Sequence, residues 1–340
     1  MPITIKDIAR RARVSHSTVS RALRGNQVIP NRTAQRIKRL AARMGYVPSA
    51  AARSLKTSRT RALGVMVTNI ADPFLGEVVR GIEDAARQAG VSLLLAASYH
   101  EAQREKTVLR ALAEHRVDGV ITCSSQVSPA HLAELERFGV PMVLVNNQIA
   151  GDFAHSLSHD DVAGGWAVTR HLLALGHRRI AYLGNAASGR ADPDRLAGYQ
   201  AALAEAGVSP RPEWLLRGGG GRPGDGALAV EAFLSLTPRP TALQCFNDML
   251  ALGALHRLKQ AGLRVPHDVS LTGFDDVFVA QYADPPLTTL AQPKYQLGRD
   301  AAEMLLGLLR GPAPARPHVR SVAGQLVVRA STAPPRSEAG

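Results

Sequence analysis

The chain has 340 residues, 45% of them hydrophobic, with a mean hydropathy of −0.06 and a net charge of +13. That length carries two or three domains with cores of their own. No apolar run reaches the ~18 residues of a membrane span, and the opening MPITIKDIARRARVS lacks the apolar core of a secretory signal, so a cytoplasmic protein without a membrane partner is expected.

The charge is unevenly spread. Residues 1–61 hold 15 Lys or Arg and one acid, Asp7, whereas the rest of the chain holds 26 basic and 27 acidic side chains. A basic head on a neutral body is the electrostatic footprint of a module that binds a polyanion. The two cysteines, Cys123 and Cys245, stand in separate apolar runs. They read as buried strand thiols, with no disulfide framework and no metal spacing, and neither metal nor cofactor is expected.

Three short helices are predicted in the head. Thr4-Ile5-Lys6-Asp7 reads as a capping box, followed by Ile5, Ile8, Ala9 and Ala12 at helical spacing. Val14-Ser15 breaks this helix, and Ser15 is placed to N-cap the next. That second helix, in VSHSTVSRALRG, carries Val19, Ala22 and Leu23 on one side and His16, Ser17, Ser20 and Arg21 on the other. A third helix shows Thr33, Ile37, Leu40, Ala41 and Met44 on one face, with Gly45 as its C-cap. The stretch PSAAARSLKTSRT then reads as a linker with helical propensity.

From Arg61 the texture becomes strand-then-helix. ALGVMVT, VSLLLAAS, DGVITCSS, VPMVLVNN, RRIAYLGN, TALQCFND and DVSLTGFDD alternate with amphipathic stretches such as FLGEVVRGIEDAARQAG. Continuous apolar strands alternating with helices indicate parallel sheet covered on both faces. Roughly ten units exceed one domain, so two α/β subdomains are expected. RGGGGRPGDG, 217–226, lacks the ending of a phosphate-binding loop and reads as a flexible connection. The tail STAPPRSEAG has a disordered composition and no leucine heptads.

Helix, tight turn, second helix with outward polar residues and a supporting helix form a helix-turn-helix pattern, whose second helix fits the major groove of DNA. The run TIKDIARRARVSHSTVSRALRG…TAQRIKRLAARMGYVPSAAARSL resembles the DNA-binding head of the lactose-repressor (LacI/GalR) family of bacterial transcription regulators. The resemblance continues through HLLALGHRRIAYLG, FNDMLALGALHRLKQAGLRVPHDVSLTGFDD and PPLTTLAQP, from Thr4 to about Arg329. It implies an N-terminal all-α helix-turn-helix head followed by a periplasmic-binding-protein-like α/β body of two doubly wound parallel-sheet subdomains. The expected boundaries are 1–46 for the head, 47–60 for a hinge helix and 61–335 for the body. Within the body, the N-subdomain takes about 61–160 plus 291–320 and the C-subdomain about 161–290 plus 321–332.

The same resemblance places base-reading on His16, Ser17 and Arg21, and phosphate contacts on Thr4, Ser15, Ser20, Arg24 and Thr33. Pro30 departs from the serine usual before the third helix, and it has no side chain with which to cap. Ala52 and Leu55 match a hinge helix whose leucine wedges into the minor groove. Effector-binding positions fall on Asp72, Phe74, Asn146, Arg195, Asn247, Asp275 and Gln292. Arg195 and Asp275 are the expected donor and acceptor for vicinal hydroxyls, and Phe74 is the expected stacking face for a sugar. The resemblance implies a homodimer on a double-stranded, pseudo-palindromic operator, most simply the repressor of a carbohydrate-utilisation operon, switched by a neutral sugar-like effector. Two alternatives stand beside it. One is a sugar- or nucleotide-acting enzyme using His155, His159, Asp160 and Asp161, although Asp160 or Asp161 reads more simply as a helix N-cap. The other is a nonspecific architectural DNA-binding protein.

Overall fold

A computed structural model describes residues 3–23, 25–46, 59–149, 151–311, 314 and 316–336. Arg24 and the hinge positions Ala52 and Leu55 lie outside the described residues. The chain divides into two compact units, residues 1–60 and 61–340.

In the first unit, α1 (Ile5–Ala12), α2 (His16–Leu23) and α3 (Asn31–Arg43) surround a small core of Ile8, Ala9, Ala12, Val19, Ala22, Ile37 and Ala41. The capping box at the start of α1 forms. The Thr4 N–H and hydroxyl donate to Asp7 Oδ2 at 3.0 and 2.6 Å, which satisfies groups that a helix start leaves open. Ser15 Oγ accepts the Thr18 N–H at 3.1 Å and caps α2. Gly45 follows α3 at φ 67°, a left-handed exit that favours glycine. Pro30 stands at the N-cap of α3 without a side-chain bond. Arg36 ties α3 to the end of α1 by donating to the Ala12 carbonyl at 3.0 Å.

The second unit holds two six-stranded sheets. The first comprises β1 (Ala62–Val67), β2 (Ser92–Ala97), β3 (Gly119–Cys123), β4 (Met142–Val145), β5 (His155–His159) and β11 (Val319–Val322), in the order β11-β5-β4-β3-β1-β2. The second comprises β6 (Ile180–Asn185), β7 (Leu215–Gly218), β8 (Ala242–Cys245), β9 (Ser270–Asp275), β10 (Thr288–Ala291) and β12 (Gln325–Val327), in the order β12-β10-β9-β8-β6-β7. Strands β3, β4, β6, β8 and β9 are buried throughout, as continuous apolar runs in a covered sheet must be. The edge strand β2 departs from that reading, because Leu94 and Leu95 stay 38% and 45% exposed. Both cysteines are buried in strands.

The chain crosses between the sheets at three places. It leaves β5 for α7 (Asp161–Ala174) and β10 for α11 (Lys294–Arg310), and it runs from β11 into β12 through two residues. Every strand pair is parallel except β10–β12. The exception follows from the short link. A chain leaving the carboxyl edge of one sheet directly enters its neighbour from the facing edge, so it runs backwards there; a parallel entry would need a crossover.

Helices cover both sheets: α4 (Pro73–Gln88), α5 (Ala102–Glu114), α6 (Pro129–Glu136) and α11 on the first, and α7, α8 (Ala191–Glu205), α9 (Pro223–Leu234) and α10 (Asp248–Gln260) on the second. The pair α7 and α8 packs backbone to backbone. A Cβ on Gly165 would collide with the Arg195 carbonyl, and one on Gly198 with that of Val162.

Candidate effector cleft and nucleic-acid interface

In α2 the buried Val19 and Ala22 hold the helix to the head, and His16, Ser17 and Arg21 are exposed on its other side. Ser20 and Thr33 are half-buried, and Thr4 and Ser15 are exposed. Thr4 and Ser15 already have local work: the Thr4 hydroxyl donates to Asp7, and Ser15 Oγ caps α2.

In the body, a cleft of about 810 Å³ opens where the carboxyl ends of the two sheets face each other. This is where open α/β sheets receive ligands. All seven expected effector positions line it: Asp72, Phe74, Asn146, Arg195, Asn247, Asp275 and Gln292. The topology brings them together because each closes a strand, lies just past one or sits in the helix that follows one.

Besides Arg195, three of the seven are fixed by backbone bonds. Asp72 N-caps α4, accepting the Phe74 N–H at 2.9 Å, and burial raises its pKa. Asn146, at φ 49°, accepts the His159 N–H at 2.9 Å. Asn247 caps α10 by accepting the Leu250 N–H at 2.8 Å, and its amide nitrogen donates to the Gly221 carbonyl at 3.2 Å. These bonds aim the side chains before any ligand arrives.

Arg195 is the centre of the buried polar network. Its guanidinium carbon lies 3.7 Å from the Phe274 ring centre and 4.3 Å from that of Phe246, a cation–π arrangement. Nε donates to Asp161 Oδ1 at 2.8 Å, and another nitrogen donates to the Phe246 carbonyl. Asp275 Oδ1 stands 3.8 Å away and accepts from Gln292 Nε2 at 2.7 Å. Burial opposes the charge on Arg195, but Asp161 and Asp275 outweigh it and raise its pKa. For Asp161, burial likewise works upward, yet Arg195 and His159 hold its pKa below the usual carboxylate range. Asp275 goes the other way: burial dominates, reinforced by the charges of Asp248 and Asp72, and its pKa is raised well above normal despite Arg195. The buried Gln292 Oε1 has no hydrogen-bond partner among the described residues.

Several cleft residues were not assigned to the effector site by the sequence reading, including Tyr99, His100, Gln148, Asn185 and Arg222, and also Asp161, which was read as an enzyme candidate or helix cap. Tyr99, His100, Gln148 and Asn185 follow or close strands that the sequence did reveal, so strand ends were the signal available for them; Asp161 and Arg222 follow β5 and β7, which carry no continuous apolar run. The segment 217–226 needs a correction. It is not merely a flexible connection, because Gly219, Gly220 and Gly221 line the cleft. Gly221 sits at φ 77°, and a Cβ there would come within 2.7 Å of Asn185 Nδ2. The chain must pass close to its neighbours at this point, which a glycine run permits.

The residues considered for catalysis take up structural work. His155 Nδ1 accepts the His318 N–H at 3.0 Å. His159 is buried edge-on against Phe274, with Nδ1 3.3 Å from Asp161. Asp160 N-caps α7 by accepting the Ala163 N–H at 3.0 Å. Among the described residues no group of three His, Cys, Asp or Glu is placed to hold a metal, and no helix is long and apolar enough to cross a membrane.

Two lobes with facing sheet ends and a polar cleft define a ligand receptor of the periplasmic-binding-protein type, attached in this chain to a helix-turn-helix head. Residues 169–332 match the periplasmic binding protein-like domain, and residues 4–49 match the bacterial regulatory proteins of the lacI family. The HTH-type transcriptional repressor PurR of Aliivibrio fischeri (strain MJ11) is 37% identical over 306 residues, covering 89% of this chain and 90% of the relative. The ribose operon repressor of Haemophilus influenzae is 35% identical over 310 residues, covering 91% and 92%. Among solved structures, the lac repressor dimer bound to operator and the anti-inducer ONPF superposes with a TM-score of 0.87 at 28% identity, covering 98% of this chain and all of that one. The chain belongs to the LacI family. It is a ligand-responsive transcriptional repressor with a DNA-binding head and an effector-binding body, and its relatives are regulators rather than enzymes.

Proposed function

We propose that this repressor controls a carbohydrate-utilisation operon and is switched by a neutral, polyhydroxylated, sugar-like effector held in the cleft. The charge balance around Arg195 carries this reading. Its guanidinium is already met by Asp161 at 2.8 Å and Asp275 at 3.8 Å, so it offers no uncompensated positive charge to an anion. The cleft lining holds Asp72, Asp161, Asp225 and Asp275 against Arg195 and Arg222. A multiply charged anion wants the opposite balance, whereas a polyol uses the donors and acceptors of Asn146, Asn247, Gln292 and Asp275 without a charge to neutralise. Titration calorimetry of the full chain against a panel of neutral sugars and sugar phosphates tests this. A neutral sugar is expected to bind, and binding confined to the phosphorylated compounds would overturn the reading.

At the other end, the exposed side of α2 supports base reading by His16, Ser17 and Arg21, with Thr4, Ser15, Ser20, Arg24 and Thr33 on phosphates. Arg21 has the forked geometry that fits guanine O6 and N7 together. Ala52 and Leu55 are proposed to enter the minor groove as a hinge. The chain is proposed to act as a homodimer on a pseudo-palindromic operator in the bacterial cytoplasm, at the nucleoid. The operator-bound lac repressor dimer, so similar over the whole chain, supports this, since a two-fold protein reads two related half-sites. Selection from randomised duplexes is expected to return a two-fold sequence, and equal affinity for every duplex would favour an architectural protein instead.

A further inference from the structure

The loop after β4 and the loop after β6 belong to different lobes and meet at the cleft. Gln148 stands at the meeting point. On its own lobe its N–H donates to the Ser125 carbonyl at 2.8 Å, and its Nε2 donates to the Asn146 carbonyl at 2.8 Å. Toward the other lobe it is purely an acceptor. Its Oε1 receives the Ala191 N–H at 3.2 Å and the Ser188 hydroxyl at 3.3 Å, and its carbonyl receives the Arg190 N–H at 3.1 Å. Gly189 lies flat against it: a Cβ there would come within 2.8 Å of both Gln148 Cβ and the Gln148 carbonyl oxygen.

The geometry points to Gln148 as a latch that holds the two lobes together before any effector binds. The two bonds on its own side fix the amide with its oxygen facing outward, and three donors of the opposite loop converge on that residue. Ala191 and Arg190 mark the start of α8, the helix that carries Arg195. The latch therefore sets the distance between the cleft floor of one lobe and the Arg195 network of the other. A ligand that binds the closed form gains affinity in proportion to how much of the free protein is already closed. On this account the protein itself supplies part of the closure that an effector would otherwise have to drive.

The test needs no effector. Dyes are attached to cysteines replacing Glu101 and Gly224, both exposed and on opposite lobes, while the native Cys123 and Cys245 are buried. Labelled chain is diluted into excess unlabelled chain, so that each dye pair reports one body, and single-molecule energy transfer gives the ratio of short to long separations. In Gln148→Ala this ratio is expected to fall about tenfold, since two net hydrogen bonds are lost. Gly189→Ala is expected to lower it similarly, because its backbone is outside the left-handed region and the atoms nearest the methyl are those of Gln148 on the facing loop. If Gln148→Ala does not fold, Gly189→Ala carries the test with every donor and acceptor of the latch retained. Separations in Gln148→Ala or Gly189→Ala that superimpose on those of the parent would overturn the proposal.

Discussion

Arg195 and Asp161 form a 2.8 Å ion pair between α8 and α7, with both side chains about nine-tenths buried. The pair joins the helix that follows β6 to the helix that begins the second lobe, and the rings of Phe246 and Phe274 flank it. One buried cation thus serves the cleft and the packing of the lobe together.

Removing that cation is expected to cost stability as well as binding. Arg195→Ala leaves the buried Asp161 without its cationic partner. Loss of one partner from a buried pair costs about 3–5 kcal/mol. Urea unfolding of the full chain should show a lowered midpoint for the body, and a midpoint unchanged from the parent would contradict the assigned role.

Asp248 makes stability depend on pH. Burial is the main cause that pushes its pKa up to about 7, against the hydrogen bonds from Thr289 and the Val277 N–H. The folded state therefore binds more protons than the unfolded state between the ordinary carboxylate value of 3.8 and about 7. Unfolding free energy falls wherever the native state holds the extra proton, so this group's contribution weakens as pH rises through that window. Asp248→Asn removes the titration, and melting of the variant should be flatter than the parent from pH 4 to pH 7. Equal slopes would refute the assignment.

The head separates affinity from specificity. Arg21→Ala should relax discrimination at one base position of the selected operator by about 1–3 kcal/mol. Arg24→Ala should weaken all sequences alike and reduce the salt dependence. Anisotropy titrations on the operator and on single-base variants, over a salt series, distinguish the two. A retained site preference in Arg21→Ala would mean that another face reads the DNA.

Gly165→Ala probes the close approach of α7 and α8. The added methyl would overlap the Arg195 backbone, and overpacking of this kind costs about 1–3 kcal/mol. A lower melting temperature is expected, together with weaker effector binding because Arg195 moves. Gly224→Ala, where a Cβ meets nothing within 4 Å, is the matched control and should melt like the parent.

The sequence by itself determined the local chemistry. Thr4 and Asp7 announced the start of α1, Ser15 the start of α2 and Gly45 the exit of α3, because caps and left-handed turns depend on a few adjacent residues. Apolar runs such as ALGVMVT and DGVITCSS declared buried parallel strands, and the family resemblance put the ligand-facing residues at or just past strand ends. What the sequence left open required partners distant along the chain. Asp161 pairs with a residue 34 positions away, and the Gln148 amide meets a donor 43 positions away. Gly219 to Gly221 had the composition of a loose connection until β6 and α10 were packed beside them. The antiparallel β12 likewise depended on how two sheets face each other. Local preference is set by the backbone geometry of neighbours, whereas burial, ion pairing and pKa are set by whatever the fold brings near, and only the tertiary structure decides that.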